Sequence, residues 1–218
     1  MDDAIFLSAS VPDPKRSPEY AKTADPVSIT AAVSALVHVT LGRRMLIWGG
    51  HPAITPMIWA VAEEMGVNYG SWVRLYQSRF FKDEFPEDNA RFQNVIYTSA
   101  VSNDRDKSLR KMREQMLTEN KFAAGVFIGG MAGIVDEFEL FRKLQPYAVV
   151  VPVISTGGAV LTVAERLGEI APDLRNDLDY VSLFHRHLKI SVREERYQQP
   201  EDQPIEVVLR YWKPPRSE

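Results

Sequence analysis

The feature that most constrains this chain is an apolar run that ends abruptly in two glycines. Residues 126–128 read Val-Phe-Ile, Gly129 and Gly130 follow, and a third glycine, Gly133, precedes Glu137. A continuous apolar run is typical of a strand covered on both faces, and the amphipathic segment behind the glycines is typical of a helix. The stretch therefore predicts a buried strand, a tight loop and the first turn of a helix.

A glycine loop in this position has two possible roles. Glycines let the backbone approach a ligand closely, and the free N–H groups at a helix N-terminus attract anions. The alternative is a turn that needs glycine only for its geometry. In the first case Gly129, Gly130 and Gly133 bind a phosphate, and Gly130→Glu reduces ligand binding more than stability.

Three further loops join an apolar run to a predicted helix. Because the carboxyl ends of parallel strands gather at one edge of a sheet, we expect these loops to meet at that edge. Serines and glycines in such loops also serve as simple turn formers, and a histidine there often caps the next helix instead of contacting a ligand. The candidate ligand-binding residues are Ser8 and Ser10 in the first loop, Gly49, Gly50 and His51 in the second, and Thr156, Gly157 and Gly158 in the third.

The alternation of strands and helices defines the fold class. Predicted strands cover residues 4–8, 44–48, 73–76, 95–98, 123–128 and 148–153. This order predicts an α/β, Rossmann-like, doubly wound fold whose mainly parallel sheet carries helices on both faces. We expect a single domain over residues 1–218, with a core over about 4–168 and a C-terminal helical or arm extension over about 173–218.

Three segments are predicted in less detail. The proline-rich residues 12–26 form either an extended surface segment or a lid over the ligand edge. Residues 173–188 are predicted to be helical. Residues 204–212 form either a late edge strand or an arm.

Composition and charge exclude several function classes. The chain of 218 residues has no cysteine, which excludes disulfides, zinc–thiolate sites and a cysteine nucleophile. The net charge of −3 argues against broad nucleic-acid binding, and the basic run 107–113 is interpreted as a solvated helix face. There is no apolar run of about 18 residues, and the N-terminus is acidic at Asp2 and Asp3. We therefore expect a cytoplasmic protein with no membrane or nucleic-acid partner.

No metal ion or other cofactor is predicted. His185 and His187 lie two residues apart, whereas helical metal ligands are usually spaced by four. The glycine loops predict a small-molecule ligand that carries a phosphate.

A few charged and aromatic residues complete the candidate site. Glu137 either binds ribose hydroxyls and polarises an N-glycosidic bond, or simply stabilises its helix N-terminus. Arg79 either grips a phosphate or forms a surface ion pair. Tyr76, Phe80 and Phe81 either stack on an adenine or belong to the core.

The glycine signatures resemble those of the SLOG superfamily. Residues 46–50 before a helix, and the spacing of Gly129, Gly130, Gly133 and Glu137, are similar to the paired motifs of that group. The group includes the Lonely Guy phosphoribohydrolases, the Smf/DprA proteins and the ligand-sensing SLOG domains attached to TIR or sirtuin effectors in bacterial defence.

The resemblance to the ligand-sensing domains is supported by further stretches. Residues 6–12, 49–54 and 76–79 look most similar to bacterial SLOG proteins that stand alone or are linked to an effector. This implies a sensor of an ADP-ribose-type nucleotide, such as a cyclic ADP-ribose isomer, with Glu137 on the ribose and Arg79 on a phosphate. Such a sensor would act on an effector protein in trans and signal by changing its homo-oligomeric state.

Two other functions are implied by the same resemblance. A Lonely Guy-like enzyme would hydrolyse the base–ribose bond of a nucleoside 5′-monophosphate, with Glu137 as the candidate catalytic residue. However, Ile128 stands where the enzyme motif has proline, the motif's threonine is missing, and Arg79 or Arg105 would have to supply its arginine. The third possibility is a Smf/DprA-like binder of single-stranded nucleic acid, which the negative net charge disfavours.

Overall fold

The computed structural model describes residues 3–66, 69–85 and 87–213. Outside the described part lie the acidic residue Asp2 and the last five residues of the predicted extension. The strands are β1 Ala4–Ser10, β2 Leu46–Trp48, β3 Val73–Ser78, β4 Val95–Thr98, β5 Phe122–Gly129 and β6 Val149–Val153. The helices are α1 Pro18–Ala21, α2 Pro26–Thr40, α3 Thr55–Met65, α4 Tyr69–Trp72, α5 Arg105–Glu119, α6 Ala132–Leu144, α7 Val160–Leu167, α8 Asp173–Asn176 and α9 Tyr180–His187.

The six strands form one parallel sheet in the order β4-β3-β2-β1-β5-β6. The order reverses between β1 and β5, which pair along their whole length until Ser10 lies opposite Gly129. Open α/β sheets bind ligands outside the carboxyl ends of the strands at such a reversal. The predicted Rossmann-like α/β fold is confirmed.

Alternation along β1 divides the core into two layers. Ile5 and Leu7 belong to the cluster that includes α2, α3 and α9, whereas Phe6 belongs to the cluster formed with α5, α6 and α7. Phe6 stacks on Phe141 of α6 at 5.3 Å between ring centroids. Helices therefore cover both faces, as predicted, and Ser8 follows Phe6 onto the face that carries α6.

The helix boundaries follow local signals in the sequence. The Asp25 side chain accepts the Val27 N–H at the start of α2, with Pro26 in the first helical position. The Asp104 side chain caps α5 in the same way. Helix α3 ends at Gly66, which adopts the left-handed conformation at φ 65°.

The C-terminal extension differs from its prediction in two respects. Residues 173–188 form two short helices, because Asp177 is extended and Asp179 starts a new helix by accepting the Ser182 N–H. Residues 204–212 form an arm that contains the 3₁₀ turn Val207–Arg210. The arm pairs with another segment through an isolated β-bridge between Tyr211 and Glu194. The alternative of an edge strand is therefore wrong.

A buried ion pair fastens this extension to the end of the sheet opposite the ligand edge. Arg44, just before β2, donates to both carboxylate oxygens of Glu194 at 2.8 and 3.2 Å. The two side chains are 7% and 0% exposed. Arg43 donates to the Glu194 carbonyl at 2.8 Å, and Asp3 lies 3.3 Å from the Arg44 Nε. The extension is thus packed against the turn between α2 and β2.

Across the described ranges, the helices all fall short of the length and apolar character needed to cross a membrane.

Candidate functional site

A cavity of about 950 Å³ opens at the carboxyl edge of the sheet, where the strand order reverses. Its walls are formed by the start of α6, the loop after β2, the segment after β3, one face of α5 and part of the segment before α1. Of the predicted site residues, the lining includes Ser10, Gly49, Gly50, His51, Gly133 and Glu137. Arg79, Gly129, Gly130, Thr156, Gly157 and Gly158 do not line it, and Ser8 lies beneath it.

Glu137 is held in the cavity wall by two donors. The Ser8 hydroxyl donates to Oε2 at 2.5 Å, and the Arg113 Nε donates to Oε1 at 3.0 Å. The Glu137 and Arg113 side chains are only 15% and 14% exposed, and Ser8 is buried. Because an ionised carboxylate has about four acceptor positions, this arrangement fixes the carboxylate and leaves acceptor capacity for a ligand.

The role of Arg113 in the site was not predicted from the sequence. This residue lies in the basic run 107–113, which was interpreted as a solvated face, yet its guanidinium faces the cavity. The spacing held the relevant signal: Leu109, Met112 and Met116 form an apolar stripe on α5, and Arg113 falls within it at helical spacing. A cation inside an apolar stripe indicates a specific partner, and here that partner is Glu137.

Arg113 also approaches the first turn of α6. A Cβ at Gly133 would lie 2.9 Å from the Arg113 Nη2, so glycine allows the guanidinium to lie close to the helix backbone. The N–H groups of Met131, Ala132 and Gly133 have no acceptor within the described part of the chain. A helix N-terminus and an arginine therefore present positive charge to the same region. The negative charges nearby are Glu137 and Asp136, and the Asp136 carboxylate lies 3.7 Å from the Arg113 guanidinium.

The N–H groups of four glycines in the loops after β5 and β6 are already used within the protein. Gly129 donates to the Thr156 hydroxyl at 2.9 Å, and Gly130 donates to the Ser10 carbonyl at 2.8 Å. Gly158 donates to the Thr23 hydroxyl at 3.2 Å, and Gly157 to the Ile154 carbonyl. These bonds hold the loops after β5 and β6 in place, and the predicted contact of these glycines with a ligand stays a prediction.

Gly130→Ala is expected to lower the free energy of unfolding by at least about 1 kcal/mol. Gly130 has φ +86°, and a Cβ there would collide with the Ile134 side chain. The structure therefore predicts that substitutions here reduce stability first, the reverse of the order suggested by the sequence. Urea unfolding of the variant tests this, and an unchanged midpoint would contradict it.

The β6–α7 loop holds the segment that precedes α2. The Thr156 carbonyl accepts the Asp25 N–H at 3.1 Å, and the Gly158 N–H binds Thr23. Gly157 has φ +64°, and a Cβ there would meet the Thr23 carbonyl. In this position the segment brings Arg16 to the cavity, where its exposed guanidinium has no ion-pair partner within the described ranges.

His51 lines the cavity and also caps the turn that follows it. Its Nδ1 accepts the Ala53 N–H at 3.2 Å, which leaves Nε2 as the nitrogen that carries the proton in the neutral ring. Burial lowers the pKa of His51 from its ordinary value of 6.5, and Arg16 lowers it further, while Glu137 opposes both. The two roles considered from the sequence are therefore compatible.

His51→Asn should reduce the loss of stability on acidification between about pH 7.5 and 5.5. Because the folded-state pKa is lowered, the unfolded chain binds the proton more readily, and stability falls as the pH drops below 6.5. Asparagine can still accept the Ala53 N–H but does not titrate. Burial also lowers the pKa of His38, so His38 still contributes to the loss of stability on acidification in the variant. Thermal midpoints across this range test the prediction, and identical pH profiles for the variant and the parent would contradict it.

The remaining predicted residues divide between the core, the cavity and the surface. Tyr76 is fully buried and donates to Glu119 at 3.0 Å, so it belongs to the core alternative. Phe80 and Phe81 are half-buried and line the cavity. Arg79 is exposed, and its guanidinium lies 5.9 Å from the centre of the Tyr97 ring.

His185 and His187 make separate contacts. The Nδ1 of His185 lies 2.7 Å from the Ile190 carbonyl, and the Nε2 of His187 lies 2.9 Å from Asp173. Among the described residues, no group of three or more potential ligands is arranged to hold a metal ion.

The fold and the cavity together define a Rossmann-like protein with a ligand site at the reversal of its strand order. The model of the SLOG cluster3 family matches residues 19–188, and the chain belongs to this family. Membership confirms the resemblance to the SLOG superfamily and indicates a nucleotide-related ligand-binding or Lonely Guy-like function. No protein of curated function matches the chain.

Proposed function

We propose that this chain binds a nucleotide-derived ligand in the cavity and acts as a sensor of an ADP-ribose-type signal, including cyclic ADP-ribose isomers. The observation that carries the proposal is the meeting of Glu137, Arg113 and the unpaired N–H groups of α6 in one cavity. The cavity volume, about 950 Å³, lies at the upper end of the range for small-molecule sites.

The phosphate of such a ligand would bind at the start of α6. The unpaired N–H groups of Met131, Ala132 and Gly133 supply donors, and the helix dipole favours an anion. Arg113 adds a charge-assisted donor beside them, and Arg16 adds a second cation at the rim. This arrangement favours a ligand with one or two phosphates.

The ribose would bind to Glu137. Ser8 and Arg113 occupy one position on each carboxylate oxygen, so two further hydroxyl groups can still donate to it. A vicinal ribose diol supplies two such donors at adjacent carbon atoms. Gly49 lies close by, since a Cβ there would be 4.0 Å from the Glu137 Oε1.

We further propose that ligand binding changes how the chain associates with other copies or with an effector protein. The segment before α2 carries Arg16 at the cavity and is tied to the loop after β6 through Thr23 and Asp25. A phosphate that pairs with Arg16 would stabilise one position of this segment. Preferential binding to one state is all that a ligand needs to shift an assembly equilibrium.

A thermal-shift screen followed by chromatography tests the proposal. The panel contains AMP, ADP-ribose, NAD and cyclic ADP-ribose isomers. A ligand at about 100 times its dissociation constant adds about 2.7 kcal/mol, which raises the melting temperature by several degrees. A shift with the ligand recovered intact supports the sensor, whereas no shift with any of these nucleotides contradicts it.

Gly133→Ala should weaken binding of the shifting nucleotide by about tenfold, while stability stays unchanged or rises slightly. A Cβ would displace the Arg113 guanidinium from the first turn of α6. Alanine in a helix is otherwise favoured over glycine by about 0.5–1 kcal/mol. Isothermal titration and urea unfolding measure the two effects separately. Undiminished affinity would exclude this turn as the anion site.

A second function is favoured by one specific observation, the contact of Arg113 with Glu137. The Lonely Guy-like alternative needs an arginine near its glutamate, and Arg113 supplies one at 3.0 Å. In hydrolysis of an N-glycosidic bond, the carboxylate would stabilise the oxocarbenium-like transition state while Arg113 and the α6 N-terminus hold the 5′-phosphate. Release of a free base from a nucleoside monophosphate in the same screen would favour this function over the sensor.

A further inference from the structure

The part of the cavity at the end of β3 contains a carboxamide that makes no hydrogen bond to the described residues. Gln77, near the end of β3, is 7% exposed and lines the cavity. Neither its amide oxygen nor its amide nitrogen makes a hydrogen bond to any described residue. The amide lies at the cavity surface and is not sealed from solvent, so it is available to a ligand that supplies an acceptor and a donor side by side.

The surrounding backbone is shaped around this amide. Gly50 has φ +66°, and a Cβ there would collide with the Gln77 amide nitrogen. A glycine at this position therefore lets the loop after β2 lie directly against the carboxamide. Gly50 therefore lies directly against the Gln77 side chain, and its predicted contact with a ligand stays a prediction.

Aromatic rings line the same recess. Phe80 and Phe81 lie on the turn after β3 and pack edge to face at 5.0 Å between ring centroids. Both are half-buried and line the cavity beside Gln77. The Arg105 guanidinium lies 5.9 Å from the centre of the Phe81 ring and also lines the cavity. A planar heteroaromatic group would stack well on such a surface.

The order of these groups along the sheet edge matches the order of phosphate, ribose and base in a nucleotide. The unpaired N–H groups follow β5, Glu137 and Gly49 lie near the end of β2, and Gln77 lies near the end of β3. Adjacent strands are about 4.8 Å apart, so the recess lies about 14 Å from the proposed phosphate position. Phosphate, ribose and base would therefore follow one another along this edge, from β5 past β1 and β2 to β3.

We propose that Gln77 recognises the adenine base of this ligand through its carboxamide. The inference rests on the proposed function and extends it to base specificity. A glutamine carboxamide pairs with the N6 donor and N7 acceptor of adenine. Hypoxanthine presents two acceptors, O6 and N7, at the same edge and leaves the carboxamide oxygen unpaired. We expect this contact to favour adenine over hypoxanthine by about fivefold to 150-fold in affinity.

Isothermal titration with AMP and IMP tests this assignment. We expect the parent protein to bind AMP at least about fivefold more tightly than IMP, and Gln77→Met to bring the ratio close to one. Gln77→Glu keeps the shape but presents two acceptors, so it should lower AMP affinity even if the methionine variant folds poorly. Gln115→Met is the control, because Gln115 lies on α5 outside the cavity lining and bonds Glu119.

The outcomes separate the inference from the proposed function. Recognition of the base by Gln77 is overturned if the parent binds AMP and IMP equally. It is also overturned if Gln77→Met and Gln77→Glu both leave the ratio of AMP to IMP affinity unchanged. Both outcomes leave nucleotide binding intact. Tighter binding of IMP assigns the recess to a 6-oxopurine and also overturns the adenine assignment. If no nucleotide of either kind, nor ADP-ribose, binds the parent protein, the proposed function fails together with the inference.

Discussion

Glu137→Gln is expected to weaken binding of the ADP-ribose-type ligand by about tenfold or more. A hydrogen bond to a charged acceptor contributes about 1.5–3 kcal/mol, and glutamine has one acceptor oxygen in place of two. The variant should fold, since its amide can still pair with both the Ser8 hydroxyl and the Arg113 guanidinium that hold the carboxylate. Isothermal titration with the nucleotide identified by thermal shift measures the effect.

The same variant distinguishes the sensor from the enzyme. If the chain hydrolyses a nucleoside monophosphate, Glu137→Gln should reduce turnover at least about 100-fold while much of the binding remains. Equal losses of turnover and binding would make Glu137 a ligand contact only. Glu165→Gln is the matched control, because Glu165 is exposed on α7 outside the cavity lining. Full binding and full turnover by Glu137→Gln would exclude Glu137 from both roles.

Glu194→Ala is expected to lower the free energy of unfolding by about 3 kcal/mol. The substitution leaves the buried Arg44 guanidinium without the two carboxylate contacts at 2.8 and 3.2 Å. It also removes the acceptor of the Ser191 N–H at 3.1 Å. Asp3 remains beside Arg44 at 3.3 Å and limits the loss. Urea unfolding should show a lower midpoint with an unchanged slope.

The neighbouring residue provides the control for this prediction. Glu195 is exposed, and Glu195→Ala should change stability by less than about 0.5 kcal/mol. A double variant, Arg44→Met with Glu194→Met, should recover part of the loss, because it removes the unpaired charge. If Glu194→Ala and Glu195→Ala have equal effects, the ion pair does not fasten the C-terminal extension to the sheet.

The fold was largely accessible from the sequence because its signals are local. The six apolar runs predicted the strands, and Asp25 with Pro26 marked the start of α2. The C-terminal extension was harder to predict. Helical pattern continues through residues 173–188, but Asp179 caps a new helix and divides the segment. The path of the extension depends on the ion pair between Arg44 and Glu194, which lie 150 residues apart in the chain.

The candidate site was partly accessible for the same reason. Loops that follow parallel strands must share an edge, so Ser10, Gly49, His51 and Glu137 were expected together, and they line one cavity. What each residue does there was not predictable. The N–H group of Gly129 looks available in the sequence but binds Thr156 in the structure, 27 residues further along the chain.

The sequence by itself determined the strands, most helix boundaries, the edge of the sheet that carries the site and the SLOG resemblance. These follow from periodicity and turn chemistry within short windows of residues. Only the tertiary structure decided that Arg113 partners Glu137, that the Gln77 amide is left unpaired, and which glycine N–H groups are free. Those outcomes depend on which elements pack side by side, and this is set by strand order and long-range contacts that no local pattern encodes.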